Sequence, residues 1–194
     1  MKNFSAYRSA FLCLFLLISL PVLMLCCSKA RSATSDAHDT LAQLTELLAD
    51  KSISAQSRYA VINRIANVFY SEGRTDDMVL FLTDWVETHP GDTYDSYWLY
   101  MVASNYLKDG AEPLAEYYYE RIINNFPDLL VDGKSIHFSC LEHLIQISKT
   151  SANRITYFNR IISDFSKEVS ITEMYLRLAL EYENVGEWDM ALKS

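Results

Sequence analysis

A period close to 37 residues constrains this chain more than any other feature. Between Ser96 and Leu129, apolar residues recur at helical spacing on two successive segments joined at Lys108-Asp109-Gly110. Leu99, Val102, Ala103 and Tyr106 share one face of the first segment. Ala115, Tyr119 and Ile122 share one face of the second, which stops at Pro127. Equivalent starts at Tyr59, Ser96, Ser135 and Thr172 lie 37, 39 and 37 residues apart. A single helix pair cannot bury its own apolar faces, so a repeated pair predicts stacking of copies into one array. Only 5 Gly and 4 Pro interrupt 194 residues, which argues for long helices and against a many-stranded sandwich.

The spacing Leu99-x2-Val102-Ala103-x2-Tyr106, then Ala115-x3-Tyr119, then Pro127, resembles the tetratricopeptide repeat (TPR), with Leu99 where that family usually has Trp. The resemblance implies an all-α, right-handed solenoid of antiparallel helix pairs that holds another chain in its concave side. A weaker copy is Ile62-x2-Ile65-Ala66-x2-Phe69, Gly73, Met78-x3-Leu82, Trp85 and Pro90. The third keeps Phe138, Leu141, Ile145, Phe158 and Ile161, but has Glu142, Arg154 and Ser166 where small residues and Pro belong. The fourth is Tyr175-x2-Leu178-Ala179-x2-Tyr182, Gly186, Trp188 and Ala191, with Ser170-x-x-Glu173 as a capping box ahead of it. This places repeats at 59–92, 96–129, 135–168 and, incomplete, 172–194. The residues beyond the family's 34 fall between helix pairs, as at 93–95 and 130–134, where loops absorb length. A helix over 36–50 is read as an N-terminal cap. At the other end Met190, Ala191 and Leu192 have half a partner. Truncation of the sequence is the favoured explanation, cover by another chain the alternative.

At the N-terminus, Lys2 and Arg8 precede the apolar run from Ala10 to Leu25, which ends at Cys26-Cys27. A positive start and about 15 apolar residues describe a signal peptide, too short for a span of roughly 20. Cysteine at the end of the run resembles a bacterial lipoprotein signal, over 1–27. The resemblance implies acylation of Cys27, with Cys26 the alternative, a covalent lipid but no other cofactor, and a flexible tether over 28–35. It also implies anchoring in the envelope, facing the periplasm. An uncleaved anchor helix is the competing reading.

Composition excludes some classes. The net charge is −8, without the basic stripe a nucleic-acid partner demands. Beyond residue 27 only Cys140 remains, so no internal disulfide or C-x-x-C metal site is available. The four His are not spaced as ligand pairs, and neither H-E-x-x-H, G-x-S-x-G nor a phosphate-cradling Gly loop occurs. The expectation is therefore a non-enzymatic module, with no metal, that holds an envelope or periplasmic protein. By the family's geometry, the first helices of the pairs, at about 59–71, 96–108, 136–147 and 172–184, line the hollow side. Their residues off the core stripe are the candidate groove: Asn63, Asn67, Tyr70, Tyr97, Tyr100, Ser104, Lys108 and His143, with Ser139, Gln146, Leu176, Leu180 and Glu183 alongside. Asn pairs with peptide backbone, and Tyr offers a rigid plate with a polar tip. Two further partner classes are an accessory subunit of a periplasmic transport system and a scaffold in an envelope machine such as the flagellar motor.

Overall fold

A computed structural model describes residues 40–50, 52–167 and 170–194. The apolar run, Cys26 and Cys27, the tether and the start of the capping helix lie outside the described residues. No helix among the described residues is long and apolar enough to cross a membrane. The chain divides into two compact units, one through Val68 and one from Phe69.

In the first unit, residues 40–49 are helical (α1), and α2 (Ala55–Ser71) contributes all but its last turn. Asp50 turns the chain between them, accepting hydrogen bonds from the Ser52 amide (2.8 Å) and hydroxyl (2.7 Å). The Ser54 hydroxyl oxygen then accepts from the Ser57 amide at 3.1 Å and starts α2. Leu41, Val61, Ile62, Ile65 and Ala66 are buried, on the spacing expected of helix faces.

The second unit continues with α3 (Thr75–Thr88), α4 (Asp95–Lys108), α5 (Glu112–Asn125), α6 (Ile136–Ile147), α7 (Ser151–Asp164), α8 (Ile171–Asn184) and the short α9 (Trp188–Ala191). From α3 to α9 each helix packs on its neighbours in sequence, and α4 also touches α6. The closest pair is α4 with α5. Leu99, Val102, Ala103, Ala115, Tyr119 and Ile122 are all completely buried there. Alanines at 103 and 115 leave no side chain beyond Cβ, which lets two helix backbones approach.

The same turn follows α2, α4 and α8. Gly73, Gly110 and Gly186 take φ of 71°, 76° and 80°, a left-handed conformation that glycine adopts without a Cβ clash. After each, the next amide reaches back to a carbonyl five residues earlier: Arg74 to Phe69, Ala111 to Tyr106, Glu187 to Tyr182, each at 2.9 Å. This is the Schellman closure of a helix end. The α6–α7 connection, Ser148-Lys149-Thr150, has no glycine. There the Arg154 Nη1 donates to the Ser148 carbonyl at 2.7 Å, and the Thr150 hydroxyl oxygen caps α7 through the Asn153 amide.

Three expectations need correction. The segment 130–134 is not plain loop. Leu130–Val131 (β1) and Lys134–Ser135 (β2) pair antiparallel, Val131 opposite Lys134, around a two-residue turn at Asp132-Gly133 with φ of 51° and 76°. Two positive φ values match the type I′ turn that Asp-Gly favours. Asp128 pins this ribbon to α6. Its carboxylate accepts from the Leu129 and His137 amides and the Ser135 hydroxyl, at 2.9, 2.9 and 2.7 Å. Ser170 is the N-cap of α8, but its side chain makes no capping hydrogen bond, so the Ser170/Glu173 box does not close. On α8 the buried stripe is Met174 and Leu178, while Tyr175 stands 36% exposed. Leu178 is buried as expected and Ala179 and Tyr182 are half-buried, so the difference lies at the first position, where Met174 takes the place expected of Tyr175.

Candidate functional site

Two open hollows meet along α6. The first, about 710 Å³, lies among Tyr100 of α4, Leu130 and Lys134 of the ribbon, and Phe138, Ser139 and Glu142 of α6. The second, about 600 Å³, lies among Glu142 and Gln146 of α6, Phe158 of α7, and Met174, Arg177 and Leu180 of α8. Glu142 and His143 border both, so the two form one trough along the α4–α6–α8 side. Helical periodicity explains the arrangement. Ser139, Glu142, His143 and Gln146 fall three and four residues apart, on one face of α6, while Cys140, Leu141 and Leu144 are buried.

His143 sits at the joint. Its ring stacks on the buried Tyr119 ring, centroids 5.1 Å apart and 18° from parallel. Its Nε2 is 3.2 Å from the Tyr100 hydroxyl. The Ser104 and Tyr119 hydroxyls are in hydrogen-bond contact at 3.3 Å. Burial lowers the His143 pKa, which favours the neutral ring with a nitrogen able to accept from Tyr100. Burial raises the Tyr100 pKa and pushes Tyr119 up to about 12, so both phenols keep their protons near neutrality. The result is an uncharged polar network under the trough floor.

The second hollow is charged. Arg154 of α7 makes a two-pronged contact with Glu181 of α8, Nε to Oε1 and Nη2 to Oε2, both at 2.8 Å. The Arg154 hydrogen bond holds the Glu181 carboxyl below its ordinary pKa. Arg177 lies with its guanidinium 4.9 Å from the Phe158 ring centroid.

Of the residues singled out in the sequence, Tyr100, Ser104 and His143 come together in the network just described. Tyr100 and His143 line the trough with Ser139, Gln146 and Leu180, whereas Leu176 and Glu183, exposed on α8, border neither hollow. Lys108 and Tyr70 form a separate exposed pair: Nζ donates to the tyrosine hydroxyl at 2.6 Å and lies 4.9 Å from its ring centroid. That hydroxyl raises the Lys108 pKa. Tyr97 is half-buried, its ring centroid 5.1 Å from that of Trp98. Asn63, half-buried, and Asn67, exposed, belong to the first unit. The sequence reading missed Lys134, Glu142, Phe158 and Arg177 as trough residues, and gave Arg154 no role. The spacing of Glu142 from Ser139 and Gln146 was a usable signal. The partner of Arg154 stands 27 residues away, and no local pattern reveals it.

Cys140 is buried, and burial raises its thiol pKa, so it behaves as a small apolar side chain. Among the described residues, no three His, Cys, Asp or Glu side chains group as a metal site. No protein-family model, curated protein or solved structure matches this chain.

Proposed function

We propose that this chain is a TPR-type module that holds a segment of another polypeptide along its α4–α6–α8 trough and performs no catalysis. The carrying observation is the trough itself. Tyr100, Ser139, His143, Gln146 and Leu180, assigned to a hollow side from repeat spacing, line two hollows that share Glu142 and His143. Tyr plates, amide and hydroxyl groups, and an exposed leucine suit a peptide's mixed backbone and side chains. The recurring glycine turn and neighbour-on-neighbour packing support the solenoid reading. In this proposal the N-terminal run, acylated at Cys27 or alternatively Cys26, tethers the module to a bacterial envelope membrane, facing the periplasm. Its partner is an envelope or periplasmic protein, and no cofactor takes part.

The test is position-specific photo-crosslinking in cells that express the full-length chain. A photoreactive residue at Ser139 or Gln146 should yield a discrete polypeptide adduct. The same residue at Leu80 or Tyr117, which are exposed on α3 and α5, should not. Equal adducts from all four positions, or none from the trough, contradict the proposal. Palmitate labelling of the wild type and of Cys26→Ser and Cys27→Ser variants tests the tether; no label in the wild type removes it.

A further inference from the structure

Two cations border the trough without an ion pair among the described residues. The chain carries −8 overall. Yet Lys134, bordering the first hollow, and Arg177, bordering the second, make no ion pair among the described residues, whereas Arg154 is neutralised by Glu181. Arg177 lies over the Phe158 ring, and Leu180, three residues on along α8, is 52% exposed. Residues three apart on a helix share a face. A cation held over an aromatic ring and an apolar surface therefore stand side by side. Where the hollows meet, Glu142 is exposed and repels a second carboxylate.

We infer that the trough's occupant is an extended segment of another polypeptide that carries acidic residues towards its ends, for Lys134 and Arg177. A large apolar side chain lies next to the acid at Arg177, and the centre is neutral or basic, opposite Glu142. The inference rests on the peptide-holding reading above and deepens it. A guanidinium donates two parallel hydrogen bonds to a carboxylate, and the aromatic ring beneath Arg177 limits the freedom lost on pairing. Leu180, with Met174 at the floor, gives the neighbouring apolar side chain a place to leave water.

Fluorescence anisotropy on the full-length chain in detergent micelles tests this with labelled 12-residue peptides blocked at both ends. One set is acidic at the ends and apolar beside one acid. A second replaces the acids by Lys, and a third replaces the apolar residue by Ser. A neutral peptide with a free C-terminus separates a terminal carboxylate from a side-chain one. The first set should bind at least tenfold more tightly than the other blocked sets and than the free-ended neutral peptide. Arg177→Glu should weaken it about tenfold, Arg177→Lys should restore part, and Tyr117→Ala should change nothing. Arg177 is exposed, so an unchanged melting midpoint should accompany the loss. Equal binding of acidic and basic sets, or indifference to Arg177→Glu, overturns the inference and leaves the peptide-holding reading standing. So does failure of every peptide while Ser139 and Gln146 still crosslink. Failure of peptides and crosslinks together overturns both.

Discussion

Asp95 carries a carboxyl group buried with one oxygen unpartnered. It is 2% exposed, its Oδ2 accepts from the Gly91 amide at 3.1 Å, and its Oδ1 has no hydrogen-bond partner. Burial raises its pKa to about 6. The unfolded value is about 3.9, so between roughly pH 4 and pH 6 the folded state binds more protons than the unfolded. Stability from this group is full below that window and is lost as pH rises through it. Asp95→Asn keeps the shape without the charge. It should remove that slope and raise stability at pH 7 by about 1 kcal/mol, after allowance for solvent screening. Urea melts at pH 4.5 and pH 7 check it; an unchanged slope contradicts the assignment. Glu181 has the opposite sign. Its depressed pKa adds stability above the unfolded carboxylate range, and acid removes it. Arg154→Ala should cost about 1–3 kcal/mol, because it leaves Glu181 and the Ser148 carbonyl without their guanidinium. In a double-mutant cycle Glu181→Ala should recover part of that loss, and strict additivity would show that the two do not interact.

At the scale of the element, a helix pair is held by its turn and its closest crossing. Gly110→Ala forces a Cβ into φ of 76° and should cost about 1 kcal/mol, although the space around it is open. A larger loss would mean packing rather than backbone conformation sets the turn. Ala103→Leu should cost about 1–3 kcal/mol by overpacking the α4–α5 crossing, read as a lower melting temperature; a neutral result would mean a loose contact there. These elements were legible in sequence because buried residues at 99, 102, 103, 115, 119 and 122 impose the helical period directly. The ribbon at 130–135 escaped notice. Two strands of two residues give no alternation to detect, and only Asp132-Gly133 advertised the turn. The capping box failed for a related reason: it is a local motif, and a serine at an N-cap closes it only when the local geometry aims its side chain at the helix amides. On α8 the neighbouring Met174 and Tyr175 compete for one stripe, and the period tolerates either.

At the scale of the whole molecule, the sequence offered positions along single helices, and what it could not reach was the chemistry between helices. Tyr100, His143 and Gln146 were found by asking which positions leave the core stripe, a question one helix answers alone. The Arg154–Glu181 pair and the placement of Arg177 over Phe158 depend on how α7 meets α8, which no single-helix pattern encodes. In the proposed function, first helices of successive pairs carry a polypeptide between them. Hydrogen–deuterium exchange on the full-length chain, with and without the end-acidic peptide at saturation, measures this most directly. Slower exchange confined to residues 95–108, 134–147 and 171–184, with 75–88 and 112–125 unchanged, is the expected result. Protection spread over 75–88 and 112–125 instead, under conditions where anisotropy reports a bound peptide, would contradict the claim.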